Sequence, residues 1–206
     1  MPVMAPRQYA LVAYLHQDQY QDQAQGHGRP TQGHAVGEFV ESLRAELHPQ
    51  VPHFPAHLTI LPPRCLQGSQ ADAQQIIENM CSRWDAFDVV LGDVETFAPV
   101  TPTVFVRVLE GSARMRELHD RLSVGVLAAQ EPWIYTPHLT IAKMPTESDA
   151  MTALATARAR WAAFTGPRRI TIDQLTFVTE NPQGPQPWLD LATVFLGHAL
   201  AAERKS

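Results

Sequence analysis

The chain has 206 residues, 45% of them hydrophobic and 18% charged, and a formal net charge of −5. That length buries a full core without disulfides or structural metals, and the composition excludes a wholly disordered polymer. The acidic balance excludes a protein that grips long nucleic acid by neutralising its backbone, so any nucleic-acid role is local, at an end or on a small nucleotide.

Two cysteines, Cys65 and Cys81, exclude a disulfide framework and a Cys-based zinc site, and are expected to be reduced thiols. No basic start runs into an apolar leader, and the longest apolar runs are too short to cross a bilayer. The expectation is a monomeric cytoplasmic protein without membrane contact.

Tyr9 to Leu15 is a short apolar run with a β-branched centre and reads as a buried strand. His16 to His34 is polar, Gln-rich and without periodicity, a long loop. From Ala35 to Leu47, Val36, Phe39, Val40, Leu43 and Leu47 recur at helical spacing. After Pro49, Pro52 and Pro55 comes a short strand, His57 to Leu61, stopped by Pro62 and Pro63. Ser69 to Trp84 predicts a helix and Phe87 to Phe97 a strand or a bent strand pair. Thr103 to Leu109 is a clear strand, Gly111 to Ala129 a helix, and His138 to Ala142 a second short strand. Thr146 to Phe164 is Ala-rich and helical; Ile170 to Val178 and Trp188 to Leu196 read as the closing strands.

The order strand, helix, His-Leu-Thr-Ile strand, helix, strand therefore occurs twice. The two His-Leu-Thr-Ile strings begin 81 residues apart, and Thr96-Phe97 and Thr176-Phe177 lie 80 apart. This predicts one α+β domain over 1–206 with lobe-level repeats at about 9–97 and 103–196, and a polar loop insertion at 17–34. The expected architecture is a bilobal pseudo-two-fold duplication. Two small antiparallel sheets would be flanked by helices, with the His-x-Thr strands facing a central cleft.

Residues i and i+2 of a strand share a face, so His57 points with Thr59 and His138 with Thr140, while the intervening leucines and isoleucines enter a core. Two imidazoles and two hydroxyls facing one cleft suit phosphoryl chemistry. A neutral His takes a proton from the attacking oxygen, and a protonated His gives one to the departing oxygen. Threonine hydroxyls donate to non-bridging phosphate oxygens. A catalytic metal would call for an HxH or HExxH pattern, and neither is present; no GxSxG elbow or P-loop occurs either. No cofactor is expected.

Phe54-Pro-Ala-His57-Leu-Thr59-Ile-Leu and Tyr135-Thr-Pro-His138-Leu-Thr140-Ile-Ala-Lys143 resemble the paired motifs of the two-histidine (2H) phosphoesterase superfamily, in particular its bacterial 2′-5′ RNA ligase and cyclic-nucleotide phosphodiesterase branch. The element order from Tyr9 to about Leu196 fits that resemblance. It implies a bilobal fold and metal-independent action on RNA 2′,3′-cyclic phosphate ends or 2′-5′ linkages. His57 and His138 would be the acid/base pair and Thr59 and Thr140 the phosphate ligands. Where some members carry an Arg after the second motif, this chain has Lys143, which keeps the charge without the bidentate fork. The partner implied is an RNA end or small cyclic nucleotide. Alternatives are a phosphodiesterase for another small nucleotide, such as an oligoadenylate or a cyclic ADP-ribose phosphate, or a non-catalytic RNA-end-binding protein. Trp133 and Tyr135 are candidates to stack on a base; Arg64, Arg168 and Arg169 are candidates for local positive potential.

Overall fold

The computed structural model describes residues 6–15, 34–47, 54–182, 184 and 186–197. The polar insertion expected at 17–34 lies outside the described residues except for His34, which opens the first helix. The elements in order are β1 (Tyr9–Tyr14), α1 (His34–Leu47), β2 (His57–Arg64), α2 (Gln70–Cys81), β3 (Phe87–Thr96), β4 (Thr103–Glu110), α3 (Ser112–Leu122), β5 (His138–Lys143), α4 (Glu147–Ala163), β6 (Arg169–Ile172), β7 (Gln174–Glu180) and β8 (Trp188–Phe195). Helices α2 and α4 start where the hydroxyls of Ser69 and Thr146 accept from the backbone N–H groups of Asp72 and Asp149, each at 3.1 Å.

The α+β class is as expected, but the two expected sheets are halves of one. The eight strands of the described residues form a single sheet in the order β6-β3-β4-β5-β2-β1-β7-β8, antiparallel throughout. The halves join between β2 and β5 through one register pair, Leu58 with Leu139. The sheet halves are not the chain halves: β3 lies among strands of the second half of the chain, and β7 and β8 lie beside strands of the first. The order still reads symmetrically outward from the join, with β4 matching β1 and β3 matching β7.

Three boundaries differ from the sequence reading. The strand expected over Ile170 to Val178 breaks at Asp173: β6 pairs with β3 at one edge region of the sheet, and β7 pairs with β1 in the other half. Strand β2 runs on through Pro62 and Pro63: beyond Leu58 it bonds only β1, and its register with β1 slips between Leu11–Leu61 and Tyr9–Arg64, where the two prolines lie. Helix α3 stops at Leu122; a 3-10 turn, Gly125–Leu127, follows, with Gly125 at a φ of 56°.

The four helices pack on one face. Leu58, Ile60, Leu61, Leu139, Ile141 and Ala142 enter one core with Val36, Val40 and Leu43 of α1, Ile77 of α2, Met115 and Leu118 of α3, and Leu154 and Trp161 of α4. The other face carries a smaller apolar cluster of Ala10, Val12 and Val178 with Tyr14, Phe54 and Trp188. Among the described residues no helix is long and apolar enough to cross a membrane.

Candidate active site

The Leu58–Leu139 pair puts His57 opposite Thr140 and Thr59 opposite His138 across an antiparallel join. All four side chains project to the face that carries no helices. Diagonal positions on such a pair stand about 7–8 Å apart, so the two imidazoles can reach one small group between them. The sequence-predicted quartet is thus brought together by a single residue contact at the middle of the sheet.

Each imidazole is aimed by its own backbone. His57 Nδ1 lies 2.6 Å from the Pro55 carbonyl and His138 Nδ1 lies 2.6 Å from the Thr136 carbonyl. A carbonyl only accepts, so both Nδ1 atoms carry the proton and both Nε2 atoms are left for chemistry. Aromatic rings wall each one: Phe54 at 4.5 Å and Tyr14 at 6.4 Å from the His57 ring, Phe97 at 5.0 Å and Phe105 at 5.2 Å from the His138 ring. Among the described residues, neither Thr59 Oγ1 nor Thr140 Oγ1 has a protein partner.

The rings sit low on the pH scale. Burial is the main cause for both; the charges of Arg44, His138 and Lys143 add to it at His57, and Lys143 adds to it at His138. The hydrogen bonds to Pro55 and Thr136 act the other way. The result for His57 is a pKa of about 4.

A bulge brings Lys143 to this face. The β4–β5 register passes from Phe105–Thr140 to Val104–Ala142 and leaves Ile141 unpaired. Without that extra residue, alternation from His138 and Thr140 would turn Lys143 toward the helices. Strand β2 has the same bulge at Ile60, between the pairs Val12–Thr59 and Leu11–Leu61. Consecutive buried residues, Ile60-Leu61 and Ile141-Ala142, mark both bulges.

Arg44 was not legible as a functional residue. It is buried, and its guanidinium donates to three carbonyls: Phe54 at 2.6 Å, Thr140 at 2.6 Å and Ile141 at 3.2 Å. It therefore ties the approach to His57 to the strand of His138. Its one sequence signal is a charge inside the apolar stripe of α1.

Tyr135 is not a free stacking platform. Its hydroxyl donates to the Thr59 carbonyl at 2.5 Å, and its ring stacks on His119 with centroids 4.1 Å apart. His119 is held by Asp120 and Glu131, each at 2.9 Å. Trp133 is exposed. The three arginine candidates are engaged elsewhere. Arg64 is buried and bonds Pro62, Ser123, Leu127 and Glu131. Arg168 lies over Trp161, and Arg169 pairs with Asp88 and Glu110. Cys65 and Cys81 are free thiols.

A family model described as the 2′-5′ RNA ligase superfamily matches residues 32–183. The chain belongs to this superfamily. Curated relatives carry the name "Putative phosphoesterase": one from Bacillus cytotoxicus is 26% identical over 149 residues, 71% of this chain and 84% of the relative. Another, from Geobacillus sp. strain WCH70, is 25% identical over 114 residues, 52% of this chain and 62% of the relative. The match thus spans under two thirds of that relative's length. Among solved structures, Escherichia coli LigT complexed with 3′-AMP superposes with a TM-score of 0.58 at 15% identity, covering 93% of this chain and 99% of LigT. Thermus thermophilus TT0787 gives 0.55 at 13% identity, covering 93% and 99%. The fold of this superfamily member is that of LigT, and the two-histidine phosphoesterase resemblance of its motifs is that of its family.

Proposed function

We propose that this protein is a metal-independent phosphoesterase that opens 2′,3′-cyclic phosphates at RNA or nucleotide ends, with 2′-5′ joining as the reverse type of reaction at the same site. The observation that carries this reading is the Leu58–Leu139 join, which sets two Nδ1-anchored imidazoles and two threonine hydroxyls on one face. The donor set also supports it. Two carboxylates on this side of the sheet, Glu95 and Asp190, are turned to Arg107 and Tyr14 rather than to the imidazoles. That LigT has been crystallised with 3′-AMP and with phosphate supports a nucleotide phosphate as the ligand here.

In the hydrolytic direction a neutral imidazole takes a proton from water as its oxygen attacks phosphorus. The P–O bond to one ribose oxygen breaks, and the second imidazole, protonated, gives its proton to that oxygen. His57 carries the strongly lowered pKa and fits the base; His138 fits the acid. An anionic phosphate between the rings raises both pKa values, opposite to the action of Lys143, so substrate itself favours charging the acid. Thr59 and Thr140 donate to the non-bridging oxygens, and Lys143 offsets their charge.

The test is turnover of an RNA oligomer ending in a 2′,3′-cyclic phosphate, with EDTA present, from pH 5 to 9. Loss of either imidazole removes one proton-transfer step, so His57→Ala and His138→Ala should each cost at least about 10²–10⁴-fold in kcat. Turnover that vanishes with chelator, or that survives both substitutions, refutes the proposal. Binding of the oligomer without turnover would instead favour the RNA-end-binding alternative.

A further inference from the structure

The two histidines stand in matched frames with unmatched neighbours. Across β1, Tyr14 is the register partner of His57; across β4, Arg107 is the register partner of His138. Register partners project to the same side of a sheet, so Arg107 shares the face of both His-x-Thr pairs. The burial of β4 agrees: Val104, Val106 and Val108 are in the core, whereas Arg107 and Leu109 are exposed. Five residues after each histidine stand Pro62 and Lys143. Both sides carry aromatic rings, Tyr14, Phe54 and Trp188 by His57 and Phe97 and Phe105 by His138, but only the His138 side adds the cations Arg107 and Lys143.

Arg107 is loosely held. Its partner is Glu95 at 3.4 Å, and the two side chains are 56% and 40% exposed. An exposed pair of that length is weak and screened by salt. A phosphodiester offers two non-bridging oxygens to the guanidinium fork, so it can take both donors where Glu95 takes one long contact.

We propose that Arg107 binds a second phosphate of an oligonucleotide substrate, the phosphodiester on the 5′ side of the terminal nucleoside. The inference rests on the proposed function: the cyclic phosphate occupies the quartet, and the rest of the strand leaves over β4. The one-sided charge gives the substrate a direction, with its backbone on the His138 side and the His57 side left to aromatic contacts. This makes Arg107 the residue that distinguishes an RNA end from a free mononucleotide.

The test compares a nucleoside 2′,3′-cyclic monophosphate, which has no 5′ phosphodiester, with a dinucleotide ending in the same cyclic phosphate. Wild type should prefer the dinucleotide. In Arg107→Ala the ratio of kcat/KM for dinucleotide over mononucleotide should fall about tenfold or more, the scale of one lost charge-assisted hydrogen bond. The loss should lie in KM, wild type should lose the same preference at high salt, and Arg107→Lys should restore part of it. Arg107 is exposed, so an unchanged melting temperature is expected to accompany the change. An equal effect on both substrates, or none, overturns the role of Arg107 and leaves the proposed function standing. Wild type inert on both substrates overturns the proposed function and this inference with it.

Discussion

Strands β2 and β5 begin with the same burial pattern and carry a bulge at the same step, yet they are held from behind by different chemistry. The Thr140 carbonyl is taken by the Arg44 guanidinium, the Thr59 carbonyl by the Tyr135 hydroxyl. Both bonds flank the single Leu58–Leu139 contact. The join between the two halves of the sheet is therefore fastened by side chains where a ladder would usually fasten it. One fastener carries a charge and serves three carbonyls; the other is neutral and serves one. What the front of the site shares by symmetry, the back does not. The difference is felt by His57, which senses the charge of Arg44.

The sharpest way to break this comparison is Arg44→Met. It frees three carbonyls in and around the buried join, and an unsatisfied buried polar group costs about 1–3 kcal/mol. We expect a loss of about 3 kcal/mol or more in urea unfolding. Arg44→Lys should recover little, since an ammonium cannot serve three carbonyls in a plane. A Met variant as stable as wild type would mean that the β2–β5 join does not depend on this fastener.

Tyr135→Phe tests the other fastener and should be milder. The ring and its stack on His119 stay, and one carbonyl loses its donor. The expected cost is about 1 kcal/mol. If Tyr135→Phe were as damaging as Arg44→Met, the two ends of the join would be energetically equivalent despite their chemistry.

The front of the site was legible in the sequence and the back was not, for a physical reason. Alternation fixes the face of His57, Thr59, His138 and Thr140 locally, so two copies of a four-residue string suffice to place them. The bulges also have a local mark, because Ile60-Leu61 and Ile141-Ala142 put two apolar residues where alternation allows one. The break at Asp173 had one too: Ile170 and Ile172 point inward on even positions, Leu175 and Phe177 on odd ones. Arg44 and Arg107 had no mark that singles them out. An Arg in an apolar stripe or in the middle of a strand is ordinary in a sequence. Their partners, Thr140 and His138, are set by which elements pack together, and for Arg44 that pairing crosses the two halves of the chain. The same crossing explains why the predicted lobes differ from the halves of the sheet.

The smallest and most specific test uses the matched step just after the bulges, Pro62 against Lys143, which also differs in charge. The Lys143 charge lowers both imidazoles, whereas Arg44 and His138 act on His57. In Lys143→Met both pKa values should rise toward the ordinary value near 6.5 and stop short of it, because burial is the larger cause. Under the proposed mechanism the base must be neutral, so the acidic limb of kcat/KM should move to higher pH. Imidazole titration by NMR should show the same direction at both rings. Stability follows with a definite sign. A histidine lowered in the folded state contributes stability that is present above its unfolded pKa and lost as pH falls, here between about 6.5 and about 4 for His57. That acid loss should shrink in Lys143→Met. Pro62→Lys, which places a second cation at the matching step beside His57, should move the limb the opposite way. A limb that stays fixed in both variants would mean that the step after the bulge does not address the histidines at all, and that the shared bulge serves packing alone.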